Sequence, residues 1–126
     1  MPAKVVDASL LGAIIFQEPR AEEADRLIRG ADLYAPGLLA YELTHIAQKK
    51  SYQYPSQGVA LQHALEAALS MDIRWRDVDH VAVLRLAMAH GITSYDASYL
   101  YLARALGTDL VTFDQRLREA VQGPGE

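Results

Sequence analysis

Four carboxylates stand where a carboxylate does more than meet solvent. Asp7 closes the run Lys4-Val5-Val6, and Asp114 follows Leu110-Val111-Thr112-Phe113. Both fall at the C-terminal ends of expected strands, where an open parallel sheet forms its ligand crevice. Leu39, Glu42, Leu43 and Ile46 recur at helical spacing and form one apolar stripe. A carboxylate on such a stripe is costly unless it is paired or bound to a cation. No arginine on that face offers itself as a partner. Asp96 shares an inner face with Leu100 and Ala103 and stands in a first turn, where the helix dipole favours an acid. Acids gathered in one pocket raise each other's pKa and cost stability unless a cation enters. Ligands that are all oxygen select hard cations, Mg²⁺ or Mn²⁺ rather than zinc. Beside a phosphodiester, such an ion polarises a phosphoryl oxygen, acidifies a bound water and orients attack.

Each acid also has a plainer reading. Asp7 and Asp114 suit helix N-caps, and Asp96 suits a first-turn acid behind a Ser94 cap. Glu42 is neither cap nor solvated acid, and its plain reading is a buried ion pair with an arginine distant in sequence. One shared site accounts for all four together.

The elements that must position these acids alternate. Short β-branched or apolar runs at 4–6, 33–35, 71–75 and 109–113 read as strands. Helical patterns cover 9–16, 20–30, 38–50, 57–70, 77–90, 94–106 and 115–122, with Gly30, Gly91 and Gly107 as stops. Ser51–Ser56 reads as a loop, and Gly123-Pro124-Gly125 as a fraying end. This alternation predicts an α/β fold, a three-layer α/β/α sandwich around a mostly parallel sheet. The 126 residues make one domain, 1–126, with no linker or internal repeat.

Composition narrows the function. Half the chain is hydrophobic (51%), which excludes intrinsic disorder. The absence of cysteine excludes disulfides, thiolate zinc sites and a cysteine nucleophile. No apolar run approaches the about 20 residues that span a bilayer, and the N-terminus lacks a signal-peptide pattern, so a cytoplasmic protein is expected. A net charge of −4 excludes nucleic-acid binding by a generally basic surface, but a bound cation can supply the missing charge locally.

Val5-Val6-Asp7-Ala8-Ser9, the interior helical Glu42, Tyr95-Asp96-Ala97-Ser98-Tyr99-Leu100 with Ala103, and Val111-Thr112-Phe113-Asp114 together resemble a PIN-domain ribonuclease. Length and compactness resemble the VapC branch, the toxins of toxin–antitoxin pairs. The resemblance covers essentially the whole chain and implies a Mg²⁺- or Mn²⁺-dependent endoribonuclease. Asp7, Glu42, Asp96 and Asp114 match the family's acidic quartet, and Ser9 and Thr112 match positions that line the same pocket. The resemblance also implies an RNA substrate, a homodimer and a cognate antitoxin that places a basic side chain near the acids. Many relatives carry Asn three residues after the helical Glu, where this chain has His45. An imidazole bonds a neighbouring acid in only one tautomer.

In the mechanism this implies, Asp7, Asp96 and Asp114 hold one or two metal ions, and Glu42 completes the ligand set or orients the water. The products end in a 5′-phosphate and a 3′-hydroxyl. Arg116 and Arg118, nearest to Asp114, are the foremost candidates for phosphate contacts, ahead of Lys49, Lys50, Arg74 and Arg76. Tyr52 and Tyr54 suit base stacking or an interface. Tyr95, Tyr99 and Tyr101 point different ways around one helix, so most of them read as packing, and His63, His80 and His90 show no ligand spacing. A receiver-like module would show paired acids after its first strand and a late lysine. A haloacid-dehalogenase-like phosphatase would show Asp-x-Asp where Asp7-Ala8-Ser9 stands. A non-enzymatic alternative is a degenerate PIN-like scaffold with structural acids, which would gain nothing from clustered negative charge.

Overall fold

Val5 and Val6 are fully buried and extended, and they form the middle of a four-stranded sheet. The computed structural model describes residues 2–123. Its strands are β1 (Ala3–Val6), β2 (Asp32–Pro36), β3 (Ile73–Arg76) and β4 (Asp109–Val111). They lie in the order β3-β2-β1-β4, and every pairing is parallel. The intervening helices are α1 (Ala8–Ile15), α2 (Ala21–Ile28), α3 (Leu38–Gln53), α4 (Gly58–Leu69), α5 (His80–His90), α6 (Ser94–Leu106) and α7 (Gln115–Gln122). The α/β sandwich expected from the alternation is therefore present.

The strand order matters for function. The chain steps outward from β1 to β2 to β3, then returns to place β4 on the other side of β1. The β1–β4 junction is thus the point where the winding direction switches, and ligands bind at the C-terminal ends of the strands flanking such a point. The register aligns Val5 with Leu110 and Val6 with Val111. Asp7 and Thr112, the next residue on each strand, leave the sheet together.

Several boundaries differ from the sequence reading. Strand β4 stops at Val111 rather than 113, because the Phe113 and Asp114 amides bond side-chain hydroxyls instead of a neighbouring strand. Strand β3 begins at Ile73, not 71. Helix α1 begins at Ala8, and α3 absorbs Ser51–Gln53 from the expected loop, the Ser51 hydroxyl donating back to the Ala47 carbonyl. Helix α5 begins at His80, where the Asp79 carboxylate caps the Val81 and Ala82 amides. The cap of α6 is Thr93, not Ser94. Gly91 and Gly107 close α5 and α6 with positive φ, as their positions predicted. Of the expected fraying end, Pro124 and Gly125 lie outside the described residues. Among the described residues, no helix is long and apolar enough to cross a membrane.

Leu10, Leu11, Leu39, Leu43, Leu100 and Leu117 are all essentially inaccessible and form one core with the two valines. Leu43 lies one residue from Glu42 on α3, so core packing sets that helix's rotation. Leu43→Ala is expected to cost about 2–5 kcal/mol of stability by urea unfolding.

Candidate active site

The site begins with hydroxyl groups that hold the ends of β1 and β4 together. Asp7 is only 5% exposed and caps α1, its Oδ1 accepting from the Leu10 amide at 3.1 Å. The same carboxylate accepts from the Ser9 hydroxyl at 2.8 Å and from the Thr112 hydroxyl at 2.5 Å. Ser9 Oγ accepts from the Phe113 amide at 2.9 Å and lies 3.2 Å from Thr112 Oγ1. Thr112 Oγ1 in turn accepts from the Asp114 amide at 2.9 Å. Asp114 is exposed and caps α7, accepting from the Leu117 amide at 2.9 Å. The capping reading of Asp7 and Asp114 is thus true, and the two carboxylates also act on each other electrostatically. The two short helices start at the C-terminal ends of adjacent strands, and the Ser9 and Thr112 hydroxyls link their caps.

Glu42 projects from α3 and is half-buried. The expected distant arginine is not its partner. Instead the Tyr99 hydroxyl, only 1% of whose residue is exposed, donates to Glu42 Oε1 at 2.5 Å. Burial and the Glu42 charge hold that phenol protonated far above its ordinary range, so it remains a donor at every working pH. Sequence reading took Tyr99 as packing. The available signal was its place on α6 three residues after Asp96, on the face turned toward the acids. Asp96 is half-buried in the first turn of α6, and its amide bonds the Thr93 cap.

The four acids share one electrostatic field. Burial raises the Asp7 carboxyl above the ordinary range, against the lowering effect of its three hydrogen bonds, and Asp114 adds to the rise. Burial likewise raises Glu42, with Asp7 and Asp96 adding repulsion. Burial raises Asp96, with Asp114 and Asp7 adding to it and Arg116 opposing. Such mutual repulsion is what a cation would relieve. The ion pairs among the described residues lie elsewhere, at Glu23, Asp25, Glu18 and Asp32. The donor set is all carboxylate oxygen, which fits a hard divalent cation. Among the described residues, no three His, Asp or Glu side chains stand close enough together to hold a metal ion.

The basic residues divide. Arg116 is exposed and acts electrostatically on Asp96, which places it by the site. Arg118 donates to the Thr112 carbonyl at 3.0 Å and so braces the β4–α7 turn. Arg20 stacks on the Phe113 ring at 3.7 Å while pairing with Glu23, a second brace on that turn. Lys50 pairs with Glu18, and Arg74 and Arg76 stack on Tyr34. His45 is exposed on α3 and faces a groove beside Glu42. Tyr52 lies ten residues beyond Glu42 on α3, about 15 Å along the helix axis, and Tyr54 follows the helix end.

A stability prediction follows from the raised acids. Over the interval between ordinary and raised pKa, the folded chain keeps protons that the unfolded chain has released. Stability therefore falls as pH rises through that interval and recovers as pH is lowered. Glu23, held low by Arg20, works oppositely, but that surface pair contributes little. Melting curves in a chelator are expected to show a contribution from these acids that lowers Tm as pH rises from the ordinary carboxylate range of about 4. The same pH dependence in a variant with Asp7, Glu42 and Asp96 all neutralised would contradict the raised carboxyls.

Comparison with known proteins shows the family to which the chain belongs. Residues 4–122 match the PIN domain family. The chain is 32% identical over 120 residues to a protein named Ribonuclease VapC3 from Pyrobaculum aerophilum, covering 91% of this chain and 92% of that one. It is 33% identical over 125 residues to one named Exonuclease VapC9 from the same organism, covering 98% and 90%. Among solved structures, the crystal structure of PAE2754 from Pyrobaculum aerophilum superposes with a TM-score of 0.80 at 28% identity, covering 98% of this chain and 88% of that one.

Proposed function

Because the chain belongs to the PIN domain family, we propose that it is a divalent-metal-dependent endoribonuclease, the toxin of a toxin–antitoxin pair. In this reading the whole chain is one nuclease domain, working in the cytoplasm as a homodimer under the control of a cognate antitoxin. What supports the reading is the mutual electrostatic influence of Asp7, Glu42, Asp96 and Asp114, carboxylates from four separate parts of the chain.

Asp7, Asp96 and Asp114 would hold the ion, with Glu42 completing the set or orienting the attacking water. The ion, Mg²⁺ or Mn²⁺, supplies charge neutralisation at the phosphoryl oxygens and an acidified water. Ser9 and Thr112 fix the Asp7 carboxylate by donating to both of its oxygens. They also hold Phe113 and Asp114 in place by accepting from their amides. Arg116 is the residue best placed to meet a substrate phosphate. Tyr99 orients Glu42 with a donor that never ionises in the working range.

The test is a circular RNA incubated with the purified chain and Mg²⁺ or Mn²⁺. The expected product is linear RNA with a 5′-phosphate and a 3′-hydroxyl. Circles left intact while linear RNA is trimmed would make the activity exonucleolytic, in line with the second relative's name. A 2′,3′-cyclic phosphate would contradict hydrolysis by a water.

Tyr99→Phe tests the support of Glu42. Losing such an orienting partner is expected to lower activity about 10–100-fold. The removed hydrogen bond lowers the Glu42 pKa, so the acidic limb of the pH–rate profile should move to higher pH. A reduced Tm with an unmoved profile would restrict Tyr99 to packing.

A further inference from the structure

Beside the acids, between α3 and the start of α6, lies a groove of about 480 Å³. Its walls include Leu38, Tyr41, Glu42, His45, Ile46 and Tyr95. Tyr41 is 78% exposed and Tyr95 62% exposed. Tyr95 is one of three α6 tyrosines of which the sequence reading took most as packing. It lies instead in the first turn of α6, one residue before Asp96, with its ring in solvent. Tyr41 stands one residue before Glu42 on α3. Each of two acids of the site thus carries an exposed tyrosine as its sequence neighbour, and both tyrosines line one groove.

We propose that this groove is a nucleobase subsite, holding an unpaired base of the RNA next to the phosphodiester that is cut. The inference rests on the nuclease reading and adds where the substrate's base goes. Three observations favour a base over other occupants. Exposed aromatic rings stack on bases of any identity, since every base has a π-face. The aliphatic side chains of Leu38 and Ile46 suit a flat apolar face, and His45 supplies a ring nitrogen for a polar base edge. Glu42 belongs to both the groove and the acid cluster, so a base held in the groove lies next to the phosphate that meets the cation site. Tyr52 and Tyr54, the sequence candidates for stacking, lie too far along α3 to serve the same nucleotide.

The test uses Tyr41→Ala, Tyr95→Ala and the two Tyr→Phe variants, with single-stranded RNA of one cleavable site. Binding is read by anisotropy of the labelled RNA in chelator, and cleavage is read separately with Mn²⁺. Each alanine variant is expected to weaken RNA binding and raise KM roughly 5- to 150-fold, with kcat little changed. The phenylalanine variants should retain wild-type values, because they keep the ring. An abasic ribose at one position flanking the cut should weaken wild type by a similar factor and add little to the loss in the alanine variants. RNA binding and KM unchanged in all four variants would overturn the subsite and leave the groove to a protein partner. Fully additive losses with the abasic substrate would overturn it too. Failure of the nuclease reading looks different. Wild type would then cut nothing with Mn²⁺, and the anisotropy series would still decide whether the tyrosines bind RNA.

Discussion

Asp7→Ala is expected to abolish cleavage and to destabilise the chain, whereas Asp7→Asn abolishes cleavage alone. Alanine removes an N-cap, a loss of about 0.5–2 kcal/mol. It also leaves the Leu10 amide and the Ser9 and Thr112 hydroxyls without their shared acceptor. An orphaned buried polar group costs about 1–3 kcal/mol. Relief of the burial penalty on the carboxylate offsets part of this, so a net loss of about 1–3 kcal/mol is expected. Asparagine caps as well as aspartate. Its oxygen can keep the bonds from Leu10 and Ser9, and its amide can donate to Thr112 Oγ1. That hydroxyl has two lone pairs and is then free to turn its proton to Ser9 Oγ, 3.2 Å away. The pocket stays satisfied but loses one negative charge at the cation site. Charge stabilisation of several kcal/mol corresponds to a rate loss of at least about 10²–10³-fold. Urea unfolding and RNA cleavage of the two variants separate the roles. Cleavage retained by Asp7→Asn would make Asp7 a structural cap.

Asp96→Asn is expected to lower cleavage by a similar factor while raising the stability of the metal-free chain. Asp96 caps no helix; the cap of α6 is Thr93. Its carboxylate is raised first by burial and then by Asp114 and Asp7. Neutralising it removes both penalties, at the cost of a favourable first-turn charge of about 0.3–1 kcal/mol and a weak attraction to Arg116. The expected result is a higher Tm in chelator and a lower one than wild type in saturating Mn²⁺. Opposite signs of stability for Asp7→Ala and Asp96→Asn, with the same loss of activity, are difficult to obtain unless both acids serve one site.

Most of this arrangement was legible in the sequence, because it rests on local patterns. Strand-end acids, glycine stops and the α3 stripe each follow from period and residue type. The errors lie where side chains outbid local pattern. Thr112 and Phe113 read as strand by composition, yet Ser9 and Thr112 hydroxyls take the amides that a ladder would use. Ser51–Gln53 read as loop, yet they continue α3. The partner of Glu42 was sought among arginines because a charge demands a cation by default. The fold supplied a phenol 57 positions away, a contact no local pattern encodes. Tyr95, Tyr99 and Tyr101 point different ways around α6, and spacing alone did not separate the exposed Tyr95 from the buried Tyr99.

The central claim is that the four carboxylates form one site for a divalent cation. The most direct measurement is the melting temperature of the purified chain against Mn²⁺ concentration, with Asp96→Asn alongside. If Mn²⁺ binds only the folded state, about 100 times its Kd adds roughly 2.7 kcal/mol. For a domain of this size that is a rise of several degrees. The account predicts this rise in wild type and a blunted one in Asp96→Asn, which starts from a higher Tm without metal. No rise in wild type, together with a destabilised Asp96→Asn, would contradict it and leave the acids as caps and packing partners of a scaffold.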